Sequence, residues 1–258
     1  MKHLILLFSI LFLNLAFAQS AEELNKQAKN LLSNREYEKA LPILRKSAEL
    51  GSGEAQYNLG YFLQNGVGIS RNENEAFEWY KKSSDNGFND GHYAMMMAYA
   101  NGSGTEANME KAFEYALKCA NNNDATCMWN IVNCYKQGLG ITKDTSKMLN
   151  WAKKLSLLEN PENLSLSGNI TSTRLSLAHM YRDGDSLEKN YYKSYLWFLI
   201  YNEFKKDFSV IQQNSIITEI QMIEKELSKQ SQKSAREDAE KLFGRKLKNF
   251  DNLYKPDF

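Results

Sequence analysis

Apolar residues recur along the chain at helical spacing, and the clearest example lies between residues 54 and 87. Ala55, Leu59 and Leu63 fall on one face of a helix, because positions four apart lie nearly above one another. Gly66-Val67-Gly68 then ends that helix, since glycine permits left-handed backbone angles. A second helix follows, with an inner face formed by Ala76, Trp79, Tyr80 and Ser83. The stretch therefore predicts two short amphipathic helices joined by a glycine turn.

Two sets of marker residues indicate that this pair of helices is repeated. A turn glycine recurs at Gly66, Gly102, Gly138 and Gly184. An aromatic residue of the second helix recurs at Trp79, Tyr115, Trp151 and Trp197. Both series have gaps of 36, 36 and 46 residues, and two markers in step are strong evidence for internal repetition. The extra residues of the last gap fall between 160 and 169, where we expect an insertion in a surface loop.

A single pair of helices cannot bury its own apolar stripe, so we expect the repeated pairs to stack and share a core. With only three prolines in 258 residues, the periodicity predicts an all-α fold. We place the helix pairs at about 20–51, 54–87, 90–122, 124–158 and 171–206.

Two further apolar stripes predict amphipathic helices over residues 209–250. One consists of Ile216, Ile220, Ile223 and Leu227, and the other of Ala235, Ala239, Leu242 and Leu247. We interpret these helices as a cap that closes the exposed end of the array. A partner-binding helix is the alternative.

The residues of each pair resemble the Sel-1-like repeat family, which consists of helical pairs related to the tetratricopeptide repeat. The family pattern has Leu-Gly, then Tyr-x-x-Gly-x-Gly, then Ala-x-x-Trp-Tyr and a closing Gly. The best-matching pair has Leu59-Gly60, Gly66-Val67-Gly68, Ala76, Trp79-Tyr80 and Gly87. The last pair departs most, because Asp185-Ser186 stands where a second turn glycine is usual. The resemblance implies a right-handed superhelical solenoid of about five antiparallel helix pairs that binds proteins or peptides.

Residues 1–18 have the pattern of a signal peptide. Lys2 gives a positive start, an apolar run extends from Leu4 to Leu15, and Ala16-Phe17-Ala18 fits a small-x-small cleavage site. A membrane anchor is the alternative, but the run is short for a bilayer span. We therefore expect cleavage, which would leave a single helical repeat domain over 19–258, periplasmic or secreted, with no membrane span.

The charge balance argues against nucleic-acid binding. The net charge of +1 falls to zero when Lys2 is removed, and no basic block remains to contact phosphates. The sequence has no phosphate-binding loop and no His-Glu-x-x-His stretch, so we expect no enzymatic activity and no cofactor. The histidines of the expected mature chain, His92 and His179, are not clustered with other ligands. We expect ordinary helix-surface histidines and no metal site.

The three cysteines are Cys119, Cys127 and Cys134. Cys119 ends a predicted second helix and Cys127 opens the next first helix, a placement that could bring their sulfurs together across the turn. An exported compartment permits a disulfide, and the Cys-x7-Cys spacing resembles that of the cysteine-rich secreted branch of the Sel-1-like family. We expect a Cys119–Cys127 disulfide and a buried thiol at Cys134.

The first helices also carry residues on the face opposite to the core. If Leu59 and Leu63 point inward, Tyr57, Tyr61 and Gln64 point the other way, at about 100° per residue. First helices line the concave side in the family's superhelix, so the resemblance implies a groove. Its expected lining is Tyr57, Tyr61, Gln64, Tyr93, Met97, Trp129, Asn133, Lys136, His179 and Arg182. Exposed aromatic residues and methionine are typical of a binding surface, and the alternative is that neighbouring pairs cover these rings.

These features favour a periplasmic scaffold that binds a protein or peptide without turnover. Some Sel-1-like proteins with signal peptides resemble immunity proteins that guard against envelope-directed lipases delivered by type VI secretion. A toxic effector is therefore one candidate partner. A β-lactam-binding or weakly hydrolytic protein, as in the cysteine-rich branch, is an alternative. An adaptor in envelope stress or secretion is another.

Overall fold

The computed structural model describes residues 21–161, 164–204 and 209–255, so the expected signal peptide at 1–18 lies outside the described residues. The described chain is helical and contains no strand. In chain order the helices are α1 (21–33), α2 (Tyr37–Glu49), α3 (Gly53–Asn65), α4 (Glu73–Asp85), α5 (Asn89–Asn101), α6 (Met109–Asn121), α7 (Ala125–Gln137), α8 (Thr145–Ser156), α9 (Leu164–Asp183), α10 (Tyr191–Asn202), α11 (Val210–Glu224) and α12 (Lys229–Phe243), followed by a 3-10 helix at Phe250–Asn252. Within those ranges, none of the helices combines the length and the apolar character needed to cross a membrane.

The chain divides into two compact units. The first unit runs to Cys127 and includes Leu139–Thr142, and the second holds Met128–Gly138 and the chain from Lys143 onward. In the first unit, helices α2 to α6 pack on one another in chain order, and in the second α8 packs on α9 and α9 on α10. The expected all-α stacking of helix pairs, as in a solenoid, is confirmed within each unit. The right-handed superhelix and the single repeat domain stay predictions.

The core of the first unit consists of the apolar faces that the spacing predicts. Ala55, Leu59 and Leu63 of α3 are fully buried, and Met95 of α5 is as well. The inner face of α4 is also buried, and it comprises Ala76, Trp79, Tyr80 and Ser83. Full burial of a leucine side chain stabilises the folded state by roughly 1.5–3 kcal/mol, so each pair depends on its neighbours for most of its stability.

The cap expected at the C-terminus is formed by α11 and α12, which both pack on α10. Most of the two expected stripes is buried, namely Ile216, Ile220, Ile223, Ala235, Ala239 and Leu247. Leu227 is half-buried, and Leu242 is exposed over 48% of its surface.

In each of the four helix pairs from α3 to α10, the turn between the helices contains two residues in the left-handed region. The first three turns use glycine at both places, with φ of 67° and 68° at Gly66 and Gly68 and similar values in the next two. The fourth turn uses Gly184 and Ser186, and Ser186 has φ of 61°. The turn at Ser186 therefore keeps the left-handed backbone conformation without glycine. This conformation is unfavourable for a residue with a side chain.

Each of these four turns ends on a residue that caps the following helix. The side-chain oxygen of Asn72 accepts a hydrogen bond from Glu75 N at 3.1 Å. The same bond recurs at Asn108, Asp144 and Asn190. These caps keep the 36, 36 and 46 gaps of the other markers, and each satisfies a free N–H group of the helix end.

The second turn glycine lies directly against the preceding pair. A Cβ atom on Gly68 would lie 2.6 Å from Cβ of Tyr37, the first residue of α2. A Cβ atom on Gly104 would overlap the carbonyl oxygen of Glu73, the first residue of α4. Gly140 meets the carbonyl of Met109 in the same way. Only glycine permits this approach, so it sets how closely one pair stacks on the next in the first unit.

The predicted surface loop between residues 160 and 169 is wrong, because most of these residues are helical. Helix α9 begins at Leu164 and is 20 residues long, so the fifth pair starts well before residue 171. Ile170 and Arg174 on the lengthened helix are buried. The Arg174 guanidinium donates to Ser156 O at 2.7 Å and to Leu158 O at 2.5 Å. It thereby satisfies carbonyl groups at the end of α8, and the burial of Ile170 favours helix in the added residues.

We expect Ser186→Gly to raise the free energy of unfolding by about 0.5–1 kcal/mol. Glycine removes the cost of a left-handed side chain, about 1–2 kcal/mol, and part of that gain is lost to its greater freedom in the unfolded state. Urea denaturation followed by circular dichroism measures the change. Ser103→Gly, in a turn position without positive φ, should lower stability, and equal effects of the two substitutions would contradict the assignment.

We expect Gly104→Ala to destabilise the protein by about 1–3 kcal/mol more than Gly87→Ala, because only the former adds steric overlap. Both glycines have positive φ, 69° and 76°, but a Cβ on Gly87 meets nothing within 4 Å. The matched pair therefore separates backbone strain from the close approach to α4. The same denaturation assay measures both, and indistinguishable midpoints would show that the approach to Glu73 does not limit stacking.

Candidate functional site

The most exposed residues of the expected groove in the first unit are Tyr61 on α3 and Met97 on α5. Their exposed fractions are 48% and 38%, and the two helices are in contact. They occupy equivalent positions in consecutive repeats, since 36 residues separate them. The structure thus places a large apolar side chain at the surface twice, at the period of the repeat.

Tyr57 and Gln64 are half-buried beside this surface, where they contact residues of the neighbouring segments. The half-buried ring of Tyr57 lies 5.8 Å from the Tyr80 ring and 5.9 Å from the Phe88 ring. Gln64 Oε1 accepts a hydrogen bond from the Tyr80 hydroxyl at 2.8 Å. Tyr93 is half-buried on α5. We call the surface formed by Tyr57, Tyr61, Tyr93 and Met97 the first-helix face.

The electrostatics of the first-helix face are set by acidic groups at the start of its helices. Asp90 lies in the first turn of α5. Its pKa is raised by burial and then by the carboxylates of Asp124 and Glu54. The pKa of Tyr57 is raised by burial and next by Asp90, which places Asp90 within electrostatic reach of that ring. One end of the face is therefore negative.

In the second unit, α7 carries the next set of expected groove residues. Trp129 is 38% exposed, Asn133 is half-buried and Lys136 is exposed. Their place in a groove shared with the first-helix face stays a prediction.

The last expected groove residues, His179 and Arg182 on α9, are in contact with the chain's own cap. Glu219 of α11 bonds to His179 Nε2 at 2.8 Å and accepts a hydrogen bond from Arg182 Nη1. The His179 ring also meets the Phe198 ring edge-on at 5.5 Å. These two positions correspond to Tyr61 and Gln64 of the first repeat. The side chains that would face a partner there instead bind a helix of the same chain.

Glu219 was not among the residues predicted for this surface, and it binds His179 across 40 residues of sequence. A signal was present, because only Glu219 and Glu224 are charged in the apolar sequence of α11. A lone carboxylate of this kind needs a partner when its helix packs.

The predicted pairing of Cys119 with Cys127 is confirmed by their joined sulfur atoms, with Cα atoms 5.7 Å apart. Asp124 lies beside them and caps α7, since its Oδ1 accepts from Cys127 N at 2.8 Å. These three residues are grouped closely enough to ligate a metal. Thiolates are the ligating form of cysteine, so the paired sulfurs leave Asp124 as the available ligand of the three.

Two expectations about single residues were wrong. Cys134 is half-buried rather than buried, and burial raises the pKa of its thiol. His92 is buried rather than on the helix surface, because its Nδ1 shares a hydrogen bond of 2.7 Å with Ser84 Oγ. Burial and then Lys118 lower the pKa of His92. The bond between Ser84 and His92 joins α4 to α5.

Tandem helix pairs with a Gly-x-Gly turn and a regular outward face define a helical repeat protein. The profile of the Sel1 repeat matches residues 53–88, 91–124, 127–160 and 174–200. The chain belongs to the Sel1 repeat family.

Solved structures are similar to the chain at low identity. A Sel1 repeat protein from Oxalobacter formigenes matches with a TM-score of 0.62 and 19% identity, over 75% of this chain and 74% of that one. The immunity protein Pa5087 from Pseudomonas aeruginosa matches with a TM-score of 0.42 and 17% identity, over 91% of this chain and 80% of that one. The Oxalobacter structure shows the same fold.

We expect Glu219→Gln to loosen α11 from α9. The substitution removes the charge that pairs with His179 and Arg182, and a partly exposed ion pair of this kind contributes about 1 kcal/mol or less. Amide hydrogen exchange in α11 should become up to about fivefold faster. Glu226→Gln, an exposed site beyond α11, is the matched control. Equal exchange in the two variants would show that Glu219 does not hold the cap.

Proposed function

We propose that the protein is a binding scaffold that holds a polypeptide partner on the first-helix face. The observation that carries the proposal is the repeated exposure of Tyr61 and Met97 at one position of consecutive repeats. Tyrosine and methionine are enriched where proteins bind each other, and their spacing by one repeat matches a partner that lies across several helices.

The fourth repeat supports a helical partner. There the equivalent positions, His179 and Arg182, are bound by Glu219 of α11. The chain thus offers an internal example of a helix on this face of a Sel1 repeat. An amphipathic helix that lies in a groove is a recurring mode of peptide recognition.

The chemistry of the first-helix face specifies the partner further. Tyr61 and Met97 offer apolar surface, and Asp90 gives one end a negative charge. A complementary segment would carry apolar residues toward Tyr61 and Met97 and a lysine or arginine toward Asp90. Charge complementarity of this kind contributes to the rate and specificity of binding.

The more specific role that we propose is that of a periplasmic immunity protein. The signal-peptide pattern of residues 1–18 motivates the location, and the Cys119–Cys127 pair suits an oxidising compartment. In this role the scaffold would bind an envelope-directed toxin, such as a lipase delivered by type VI secretion, and cover its active site. Inhibition would need rigid docking and no turnover.

We expect a photo-crosslinker in place of Tyr61 to form an adduct with a cellular protein, because Tyr61 is the most exposed residue of the first-helix face. Met97→Glu in the same protein should abolish the adduct by placing a charge in the interface. Ile211→Glu is the matched control, since Ile211 is 82% exposed in the cap. Mass spectrometry identifies the adduct, and equal loss with both substitutions would contradict the proposed face.

The immunity role requires that the crosslinked partner be toxic in the envelope. Cells that produce the partner with a signal peptide should survive only when they also produce the scaffold, and Met97→Glu should remove this protection. Survival without the scaffold would exclude immunity and leave the binding scaffold supported.

A further inference from the structure

The second unit contains a cleft that belongs to none of the surfaces described above. Its volume is about 540 Å³, and it lies among α8, the end of α9, α10 and α12. This volume falls within the range of clefts that hold small molecules, about 300–1,000 Å³.

The walls of the cleft are largely apolar. Leu157 follows α8, Leu196 and Trp197 belong to α10, and Leu242 belongs to α12. Leu242 was expected on the buried stripe of the cap, but it is 48% exposed and lines the cleft. An apolar side chain on a concave surface gains from any apolar group that displaces water there.

Three lysines surround these walls, namely Lys153, Lys193 and Lys241. In the described ranges, no carboxylate lies within the 4.0 Å ion-pair distance of their ammonium groups. The one acidic residue of the cleft, Asp238, accepts a hydrogen bond from the Tyr192 hydroxyl at 2.7 Å. The Lys193 ammonium group lies 5.3 Å from the centre of the Tyr181 ring, and the three positive charges of the cleft have no carboxylate partner among the described residues.

Apolar walls together with lysines that lack ion-pair partners favour an amphipathic ligand, with one apolar part and one negatively charged group. A neutral apolar molecule would leave the ammonium groups without a counter-charge. A small inorganic anion would leave the apolar walls exposed to water. We propose that this cleft binds a single-chain anionic lipid, with the alkyl chain against Leu196, Trp197 and Leu242 and the carboxylate among the lysines. The site is separate from the first-helix face and does not depend on the protein-binding role.

The proposal can be tested by isothermal titration of the purified protein with dodecanoate. The dodecanoate concentration is kept below that at which dodecanoate self-associates. We expect one molecule to bind per chain. Each methylene removed should weaken binding by about fourfold, from the free energy of burying one methylene. Dodecanol, which has the same chain and no charge, should bind about tenfold more weakly, since loss of one good ion pair corresponds to about that factor.

Variants locate the site. Lys153→Gln with Lys241→Gln should weaken dodecanoate binding by about tenfold, and Leu242→Glu should abolish it by placing a negative charge on the wall. Lys225→Gln with Lys229→Gln removes the same charge outside the cleft and should leave binding unchanged. An apolar peptide with a free C-terminal carboxylate serves as a competing ligand class. Equal binding of dodecanol, equal loss in both lysine pairs, or tighter binding of the peptide would overturn the proposal.

Discussion

The stacking of helix pairs in the first unit depends on turn glycines, because these residues have no side chain. The second glycine of each turn meets the first residue of the preceding pair's second helix, at Tyr37, Glu73 and Met109. These three contact points are 36 residues apart, so the contact itself repeats with the sequence. Positive φ at the glycines acts together with a close contact, which is with backbone atoms at Gly104 and Gly140 and with the Tyr37 side chain at Gly68. A substitution would therefore have to change both the turn and the distance between neighbouring pairs.

Much of this architecture could be predicted because it follows from local spacing. The buried faces of α3 and α4 lie where helical periodicity puts them, and the cysteine pairing follows from two helix ends that share a short turn. The Asn and Asp caps keep the same gaps and could have been found by the same comparison of repeats. The added turns of α9 could not be predicted, because Ile170 is buried by tertiary packing that local spacing does not reveal. An irregular gap in a repeat is equally compatible with a loop and with added helical turns.

The candidate surface was harder to predict than the fold. Helical geometry distinguishes inward from outward positions, and Tyr61 and Met97 are exposed accordingly. It cannot distinguish an open outward position from one covered by a distant segment, which is the situation of His179 and Arg182. Their contact with Glu219 joins residues 40 and 37 positions apart. The same limit applies to the cleft of the second unit, whose walls come from four helices and whose lysines have unremarkable local sequence.

The packing of α11 and α12 on α10 has a consequence for assembly. Helical repeats can in principle continue from one molecule into the next, because each pair presents a surface that fits another pair. A head-to-tail contact of this kind does not close on itself and builds filaments. Here the second helix of the last pair is occupied by segments of a different pattern, with a Ser-Gln capping box at the start of α11. A second molecule that stacked on α10 would therefore first have to displace α11 and α12.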